Sequence, residues 1–144
     1  MNIYLIKISD EGWTQMNIAE IQKQVDETNY WDLLILDLEI KYFGDEVLLY
    51  IEKDRTSCYR ISFTFCYKLN YETDANWRGD FMVKNSGPSS GYYGQDISIQ
   101  KYGETNEFIK CSLDLSIMTM TIVCKTILVE EVKMEDMSFF WKKK

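Results

Sequence analysis

Histidine is absent from this chain of 144 residues. Without it the chain cannot form a Ser-His-Asp triad, a Cys-His pair or a metal site built on imidazole ligands. The phosphate-binding loops G-x-x-x-x-G-K-[ST] and G-x-G-x-x-G and the EF-hand ligand spacing are missing as well. We therefore expect a protein that is not an enzyme, needs no cofactor and holds no metal.

A pair of carboxylates is the one catalytic arrangement that the composition leaves open, because Asp and Glu total 23. Asp37 and Glu39 are an example, since residues two apart on a strand share one face. That spacing is typical of any solvated sheet face and carries little specificity for catalysis. The sequence therefore favours a binding protein over an enzyme.

Signals for disulfides, secretion and membrane insertion are also lacking. None of the four cysteines forms a C-x-x-C motif, and Cys58 and Cys66 lie on one predicted strand. At about 3.3 Å per residue these two are too far apart to pair. No apolar run approaches the roughly 20 residues of a membrane helix, and the short apolar start at 1–8 has no cleavage pattern after it. These features predict a reduced, cytoplasmic protein that does not contact a membrane.

Lys and Arg total 16 and Asp and Glu total 23, so the net charge is −7. An acidic chain repels phosphates, which argues against direct binding to nucleic acid. It suits a basic protein partner, including a nuclease or another enzyme that handles nucleic acid. The alternative is that the charge only keeps the protein soluble.

Proline occurs once, whereas tyrosine occurs 10 times and phenylalanine 7 times, which is typical of a strand-rich fold with short connections. The most regular stretch, Leu33–Leu69, reads as three strands with turns at Gly44-Asp45 and Asp54–Ser57. Its third strand, Tyr59–Leu69, alternates apolar and polar residues and so has one apolar face. Its second strand, Val47–Glu52, is apolar on both sides and should lie inside the sheet. Together they predict an antiparallel meander.

One helix is expected, and it begins after Asn17. The Asn side chain can cap the helix, and Ile21 and Val25 then share one face at helical spacing. Trp13 and Met16 extend that apolar face toward the N-terminus. We expect the face to pack on the sheet, and the alternative is that it binds a partner.

Further strands surround the meander, at Asn2–Ile8, Asp96–Tyr102, Glu107–Leu115 and Thr119–Val132. The apolar phase changes between Leu115 and Met118, which indicates a tight turn or a bulge, and we expect a hairpin. Ile127 and Val129 at the far end of the last strand indicate a second slip or a strand buried on both sides. The fold class is therefore α+β, with a mainly antiparallel sheet that is curved or folded into a sandwich, and one N-terminal helix. We expect a single domain over 1–144 with the following parts: strand and helix at 1–32, meander at 33–69, irregular loop at 70–95, C-terminal strands at 96–132 and tail at 133–144.

The irregular segment 70–95 is the part that packing explains least. It contains the Gly/Ser-rich run Asn85–Gly91, which is typical of a surface loop. Large, rigid, amphipathic side chains beside such a loop are characteristic of protein-binding surfaces. We therefore predict a binding surface made of Trp77, Arg78, Asp80, Tyr92, Tyr93 and Asp96. The alternative is that one tyrosine packs under the loop and the other is incidental.

Three short pieces of the sequence carry a family resemblance. They are Trp31-Asp32 at a strand start, Ile61-Ser62-Phe63-Thr64-Phe65 in an aromatic-rich strand, and Met120-Thr121-Ile122-Val123-Cys124 near the end. In this order they resemble small uncharacterised bacterial domains, some of which accompany polymorphic toxins as immunity proteins. The resemblance implies a cytoplasmic, non-enzymatic protein that binds and blocks a toxin.

The leading hypothesis is thus a protein-binding, immunity-like inhibitor whose partner is basic. A phage-type inhibitor of a nucleic-acid enzyme is an alternative, because it would bind a basic partner in the same way. Another alternative is a β-domain that binds a small ligand, with a cavity lined by Tyr59, Phe63, Phe65 and Tyr67. A structural or interaction domain without a ligand also stays open, and the sequence does not decide the oligomeric state.

Overall fold

Strands dominate the computed structural model, which describes residues 3–9, 12–74, 76, 82–87, 91–104 and 107–142, with side chains from residue 17 onward. The strands are β1 (Ile3–Ser9), β2 (Gly12–Asn17), β3 (Ile35–Lys41), β4 (Glu46–Glu52), β5 (Ser57–Thr64), β6 (Lys68–Thr73), β7 (Tyr92–Lys101), β8 (Ile109–Ser116), β9 (Met118–Cys124) and β10 (Thr126–Lys133). The helices are α1 (Ile18–Asp26) and α2 (Val83–Ser86). The expected α+β class, with antiparallel sheets and a main helix near the N-terminus, is confirmed.

The strands form two four-stranded antiparallel sheets, in the order β10-β5-β4-β3 for the first sheet and β6-β9-β8-β7 for the second. The hairpin β1–β2 lies beside β10. The predicted meander is confirmed as β3, β4 and β5. β4 lies inside the first sheet, as its apolar residues on both faces predicted.

One core lies between the two sheets, so the sandwich form of the prediction is the one found. Alternate residues of the strands in the two four-stranded sheets point inward, and many bury their side chains against the opposite sheet or against α1. Each fully buried aliphatic or aromatic side chain contributes about 1.5–3 kcal/mol. Members of this core include Val47, Leu49, Ile61 and Phe63 of the first sheet, Ile97, Cys111, Leu113 and Ile122 of the second, and Ile21 and Val25 of α1.

The predicted third strand of the meander was wrong in its second half. β5 ends at Thr64, and Phe65 turns the chain with a positive φ of 54°. Lys68 then begins β6, which belongs to the second sheet. The sequence did not reveal this corner, because the alternation of apolar and polar residues continues unbroken to Leu69.

The predicted last strand, Thr119–Val132, is likewise two strands in two sheets. β9 ends at Cys124 and β10 begins at Thr126. The two corners coincide, since Thr64 pairs with Thr126 on one side and the amide of Tyr67 donates to the carbonyl of Val123 (2.7 Å) on the other. A continuous two-stranded ribbon therefore bends from the first sheet into the second.

Helix α1 begins where the sequence predicted. The Asn17 side chain accepts a hydrogen bond from the Glu20 amide (2.8 Å), which satisfies one unpaired donor of the first turn. Ile21 and Val25 are buried in the core, which confirms packing on the sheets. The extension of the helical face to residues 13 and 16 was wrong, because these residues lie in β2.

Cysteines 58, 66, 111 and 124 are free thiols. The prediction that Cys58 and Cys66 lie on one strand was wrong, because the corner at Phe65 separates them. Burial raises the pKa of the Cys66 thiol to about 12 and also raises the pKa of Cys111 and Cys124. These side chains therefore remain protonated and serve as small core residues.

The C-terminal tail packs on the outer face of the first sheet. Phe139 is buried edge-on against Tyr50, with ring centroids 5.0 Å apart, and stacks on Trp141. The Trp141 Nε1 donates to the carbonyl of Leu36 (2.8 Å). Lys142 donates to two backbone carbonyls of the tail. The tail is therefore part of the fold over its described residues.

The predicted irregular segment is shorter than 70–95. β6 continues to Thr73, α2 occupies Val83–Ser86, and β7 already begins at Tyr92. The predicted surface residues Trp77, Arg78 and Asp80 lie outside the described residues. No helix in the described part of the chain has the length and apolar character needed to cross a membrane.

Candidate functional site

The outer face of the second sheet is polar and carries three rows of side chains. Every second residue of its strands points away from the core. The middle row is built of small polar residues, Ser98, Ser112, Thr121 and Asn70, on neighbouring strands. The row on one side of it contains Lys110 and Lys68, and the row on the other side contains carboxylates. The sheet face is therefore flat and electrically polarised.

The acidic row, as we call the carboxylate row, crosses all strands of the second sheet. Asp96 on β7 lies directly opposite Asp114 on β8. The row continues through Thr119 on β9 to Glu72 on β6. All of these residues are exposed. Because like charges directly opposite each other repel, the row costs the free protein stability.

Within the described residues, no Lys or Arg forms an ion pair with a carboxylate of the acidic row. The ion pairs between described residues are Lys41–Glu39, Lys53–Glu131, Arg60–Glu130 and Lys125–Glu107, all elsewhere. Hydrogen bonds instead orient two of the row's carboxylates. The Ser98 hydroxyl donates to Asp96 Oδ2 (2.8 Å), and the Ser116 amide donates to Asp114 Oδ1 (3.0 Å). The negative charge thus points to solvent and is available to a partner.

An open concavity of about 760 Å³ adjoins the acidic row at the turn between β8 and β9. Glu72 and Thr119 belong to both. Asp74 adds another exposed carboxylate beside them, and its amide donates to the carbonyl of Ile117 (2.8 Å). The acidic surface is therefore concave at this end, a shape that suits a protruding basic group.

A second concavity, of about 270 Å³, lies along the edge strand β3. We call it the β3 groove. Its far wall is made by Tyr71, Tyr92, Leu115 and Met118 of the second sheet. Val83 of α2 and Phe140 of the tail complete the lining. The groove is largely apolar, and strands of both sheets, α2 and the tail build it.

Asp37 is the one charged residue among the described residues that line the β3 groove. It lies at a bulge of β3, and its Oδ1 accepts a hydrogen bond from the amide of Leu38 (2.8 Å). Partial burial raises the pKa of the Asp37 carboxyl above its usual range, and the charge of nearby Glu39 adds to the shift. Within the described residues no Lys or Arg forms an ion pair with Asp37. The carboxyl therefore lacks a cation.

The predicted site residues Tyr92, Tyr93 and Asp96 all lie on β7. Asp96 belongs to the acidic row. Tyr92 is half-buried in the β3 groove, and its hydroxyl lies 2.7 Å from Thr73 Oγ1. Tyr93 pairs through its backbone with Leu34. Their role in binding stays a prediction, and the structure separates Asp96 from the two tyrosines.

Asp114 and Glu72 were missed by the sequence reasoning. Asp114 appears in the sequence only as one of the polar residues that alternate along a strand. No local signal could have placed it opposite Asp96, because the register of β7 against β8 depends on the intervening loop and the shared core. Alternation identifies the polar face, and only strand pairing shows which charges become neighbours.

The aromatic cavity considered for a small ligand does not form from the expected residues. Phe63 is fully buried in the core, whereas Phe65 and Tyr67 are exposed. Tyr59 is half-buried beside Lys53, whose Nζ lies 5.6 Å from the ring centroid. The corner at Phe65 is the reason, because it turns the later residues of the predicted strand away from the core.

The two members of the carboxylate pair considered for catalysis, Asp37 and Glu39, have different surroundings in the structure. Glu39 forms an ion pair with Lys41 (3.5 Å), while Asp37 lines the β3 groove. Within the described residues, no group of three or more Cys, Asp or Glu side chains is arranged to hold a metal ion.

The pieces that carry the family resemblance have structural positions. Trp31-Asp32 lies where the chain crosses β7, and the Asp32 amide donates to the carbonyl of Gly94 (2.8 Å). The stretch 61–65 is the end of β5, and 120–124 is the end of β9. All three pieces therefore lie at or near points where one sheet meets the other.

The family model described as immunity protein PIM7 matches residues 17–131, which is most of the chain. The chain belongs to this immunity protein family. An uncharacterized protein from Neisseria gonorrhoeae, known from a crystal structure, is similar over 70% of this chain and 92% of its own, with 14% identity and a TM-score of 0.47. No curated protein matches the chain.

Family membership confirms the resemblance seen in the sequence. It supports an immunity-like role in which the protein binds another protein, a toxin. It also suggests a non-catalytic inhibitor. The acidic row and the β3 groove are two surfaces of the described residues whose chemistry suits such a partner.

Proposed function

We propose that this protein is a cytoplasmic immunity protein that binds a toxin through a basic surface of the toxin and blocks it without catalysing a reaction. The family match over residues 17–131 carries the immunity role. The acidic row supports the basic character of the toxin, because its carboxylates form no ion pair with a described Lys or Arg.

A basic partner that covers the acidic row changes the electrostatic interactions of its carboxylates. In the free protein, Asp96 and Asp114 repel each other across paired strands. A Lys or Arg of the partner placed between them converts that repulsion into attraction. The net charge of −7 acts at longer range and speeds the encounter with a basic partner.

The class of toxin that fits this surface best is an enzyme that acts on nucleic acid. Such an enzyme needs a positively charged surface to bind phosphates. An acidic protein that covers this surface excludes the nucleic acid by competition. The inhibitor needs no active site for this, which agrees with the lack of histidine in the chain.

Binding to the toxin encoded beside the gene tests the proposal. We expect the wild-type protein to form a stable complex with this toxin and to protect cells that express it. Replacing Asp96 and Asp114 by Asn should slow association and weaken binding by about tenfold, because both lost charges steer the encounter. The salt dependence of the association rate should become smaller as well.

The matched control removes two negative charges elsewhere. Glu135 and Asp136 are exposed in the turn after β10, on the first sheet rather than the second. Replacing them by Gln and Asn changes the net charge equally. If both double variants bind alike, only the net charge matters and the acidic row is not the binding surface. If the neighbouring gene encodes no toxin and no complex forms, the immunity role itself is wrong.

A further inference from the structure

The β3 groove lies at the edge of the first sheet, where a partner strand could in principle be added. Two side chains already occupy that edge. Trp141 donates its indole N–H to the carbonyl of Leu36, and Asp37 accepts from the amide of Leu38. Strand addition at this point would have to break both hydrogen bonds. The groove therefore suits a side chain better than a strand.

The size of the groove also indicates a single side chain. Pockets that hold drug-sized molecules usually enclose about 300–1,000 Å³. The groove encloses about 270 Å³ and is open to solvent at its rim. Tyr71 and Phe140 at this rim are half exposed, at 54% and 49%. Rings in this position can contact both the apolar stem and the charged end of a long side chain.

The charge of the groove selects the type of side chain. Asp37 contributes one carboxylate among apolar walls, and Oδ1 is directed to the Leu38 amide. A partly buried carboxylate without a cation is unfavourable, and a cation placed beside it relieves the cost. Leu115 and Met118 offer apolar surface to the methylene groups of the same side chain.

We propose that the β3 groove is a docking site for one arginine or lysine side chain on the surface of the toxin, with Asp37 as its counter-charge. The inference rests on the proposed function, and it adds a discrete anchor to the diffuse attraction of the acidic row. Interfaces commonly depend on a few such anchors that fill pockets. An arginine fits better than a lysine, because its planar guanidinium can stack on Tyr71 or Phe140 while it bonds Asp37.

The first test uses capped arginine, acetyl-arginine methylamide, and its uncharged analogue acetyl-citrulline methylamide. We expect capped arginine, with a dissociation constant of about 1 mM or weaker, to shift the amide NMR signals of Leu38, Leu115 and Met118 in a saturable way. Capped citrulline should not shift these signals, and Asp37→Asn should abolish the shifts that capped arginine causes. Equal shifts with citrulline, or shifts that persist in Asp37→Asn, would overturn the proposal.

The second test uses the toxin encoded beside the gene. Asp37→Asn should weaken its binding by about tenfold or more, mainly through faster dissociation. The control Asp136→Asn, which removes one exposed charge outside the groove, should bind like the wild type. Equal binding by both variants refutes the groove as an anchor but leaves the immunity function standing. If the wild type does not bind the toxin, the proposed function is wrong. The titration with capped arginine then still shows whether the β3 groove binds an arginine side chain.

Discussion

Tyr30 and Gly94 approach each other so closely that a β-carbon on Gly94 would lie 2.4 Å from the carbonyl oxygen of Tyr30. Two backbone hydrogen bonds flank this crossing: the Asp32 amide donates to the Gly94 carbonyl (2.8 Å), and the Gly94 amide donates to the Leu33 carbonyl (2.9 Å). The crossing joins the segment that enters the first sheet to the first residues of β7. It therefore helps to hold the two sheets, and with them both candidate surfaces, in place.

Gly94→Ala should destabilise the protein strongly, because the new methyl group meets backbone that cannot move aside. We expect a loss of more than about 3 kcal/mol in the free energy of unfolding, measured by urea denaturation. Gly103→Ala is the control. It has open space around the β-carbon but a positive φ of 74°, so it should cost only about 1 kcal/mol. Equal losses would show that the contact with Tyr30 is unimportant.

Asp37→Asn should stabilise the free protein at neutral pH. The pKa of Asp37 is raised in the folded state, so the folded protein penalises the ionised form. This penalty is absent below the ordinary pKa of 3.8 and grows as pH rises through the interval up to the raised value. Asn avoids it and can still accept from Leu38. We expect a gain of up to about 1 kcal/mol at pH 7 that vanishes in acid, measured by urea denaturation at several pH values.

Asp37→Asn should change the stability of the protein and its affinity for the toxin in opposite directions. If Asp37 served only in packing, its replacement would lower both the stability of the protein and its affinity for the toxin. Here stability should rise while toxin binding falls. A variant that is less stable than the wild type at pH 7 would contradict our account of this carboxyl.

Asp54→Ala should weaken the turn between β4 and β5. The amides and hydroxyls of Thr56 and Ser57 donate to Asp54 Oδ1, and these bonds lower the pKa of the carboxyl to about 2. The stabilisation is present above pH 3.8 and is lost as pH falls through about 2. The variant should therefore unfold at lower urea than the wild type at pH 7. A difference that persists unchanged below pH 2 would exclude this electrostatic cause.

Trp141→Ala should open the edge of β3. The substitution removes the stacking on Phe139 and the hydrogen bond to the Leu36 carbonyl. We expect a loss of about 2–3 kcal/mol in the free energy of unfolding. The exposed edge should also promote association between molecules, which light scattering during gel filtration would detect. Trp141→Phe keeps the ring and should lose only about 1 kcal/mol.

Several elements could be predicted from local sequence because local physics decides them. The helix follows from the cap at Asn17 and from Ile21 and Val25 at helical spacing. The turn between β8 and β9 follows from the change of apolar phase, and Ser116 has the positive φ of a tight turn there (76°). The meander follows from alternation and from turn residues, including Gly44 with a positive φ of 94°. Each of these signals spans only a few residues.

The candidate surfaces could be predicted only in fragments. Asp96 was predicted and lies in the acidic row, but its neighbours Asp114 and Glu72 come from strands distant in sequence. The β3 groove was not predicted, because its walls belong to both sheets, to α2 and to the tail. Asp37 is an ordinary polar residue in the sequence pattern, and only its surroundings make it unusual.

The sequence by itself determined the fold class, the alternation that buries one face of each strand, the acidic charge and the lack of histidine chemistry. Those properties depend on residue type and short spacing. Only the tertiary structure decided where the ribbon bends at Phe65 and Lys125. The alternation passes through Phe65 unchanged, and the change of apolar phase between Cys124 and Ile127 does not distinguish a slip within one strand from a passage into another sheet. That bend forms the sandwich, and the strand registers depend on the loops and on the core that the two sheets share. The registers in turn bring Asp96 opposite Asp114, and the packing of the tail leaves Asp37 in the groove beside β3.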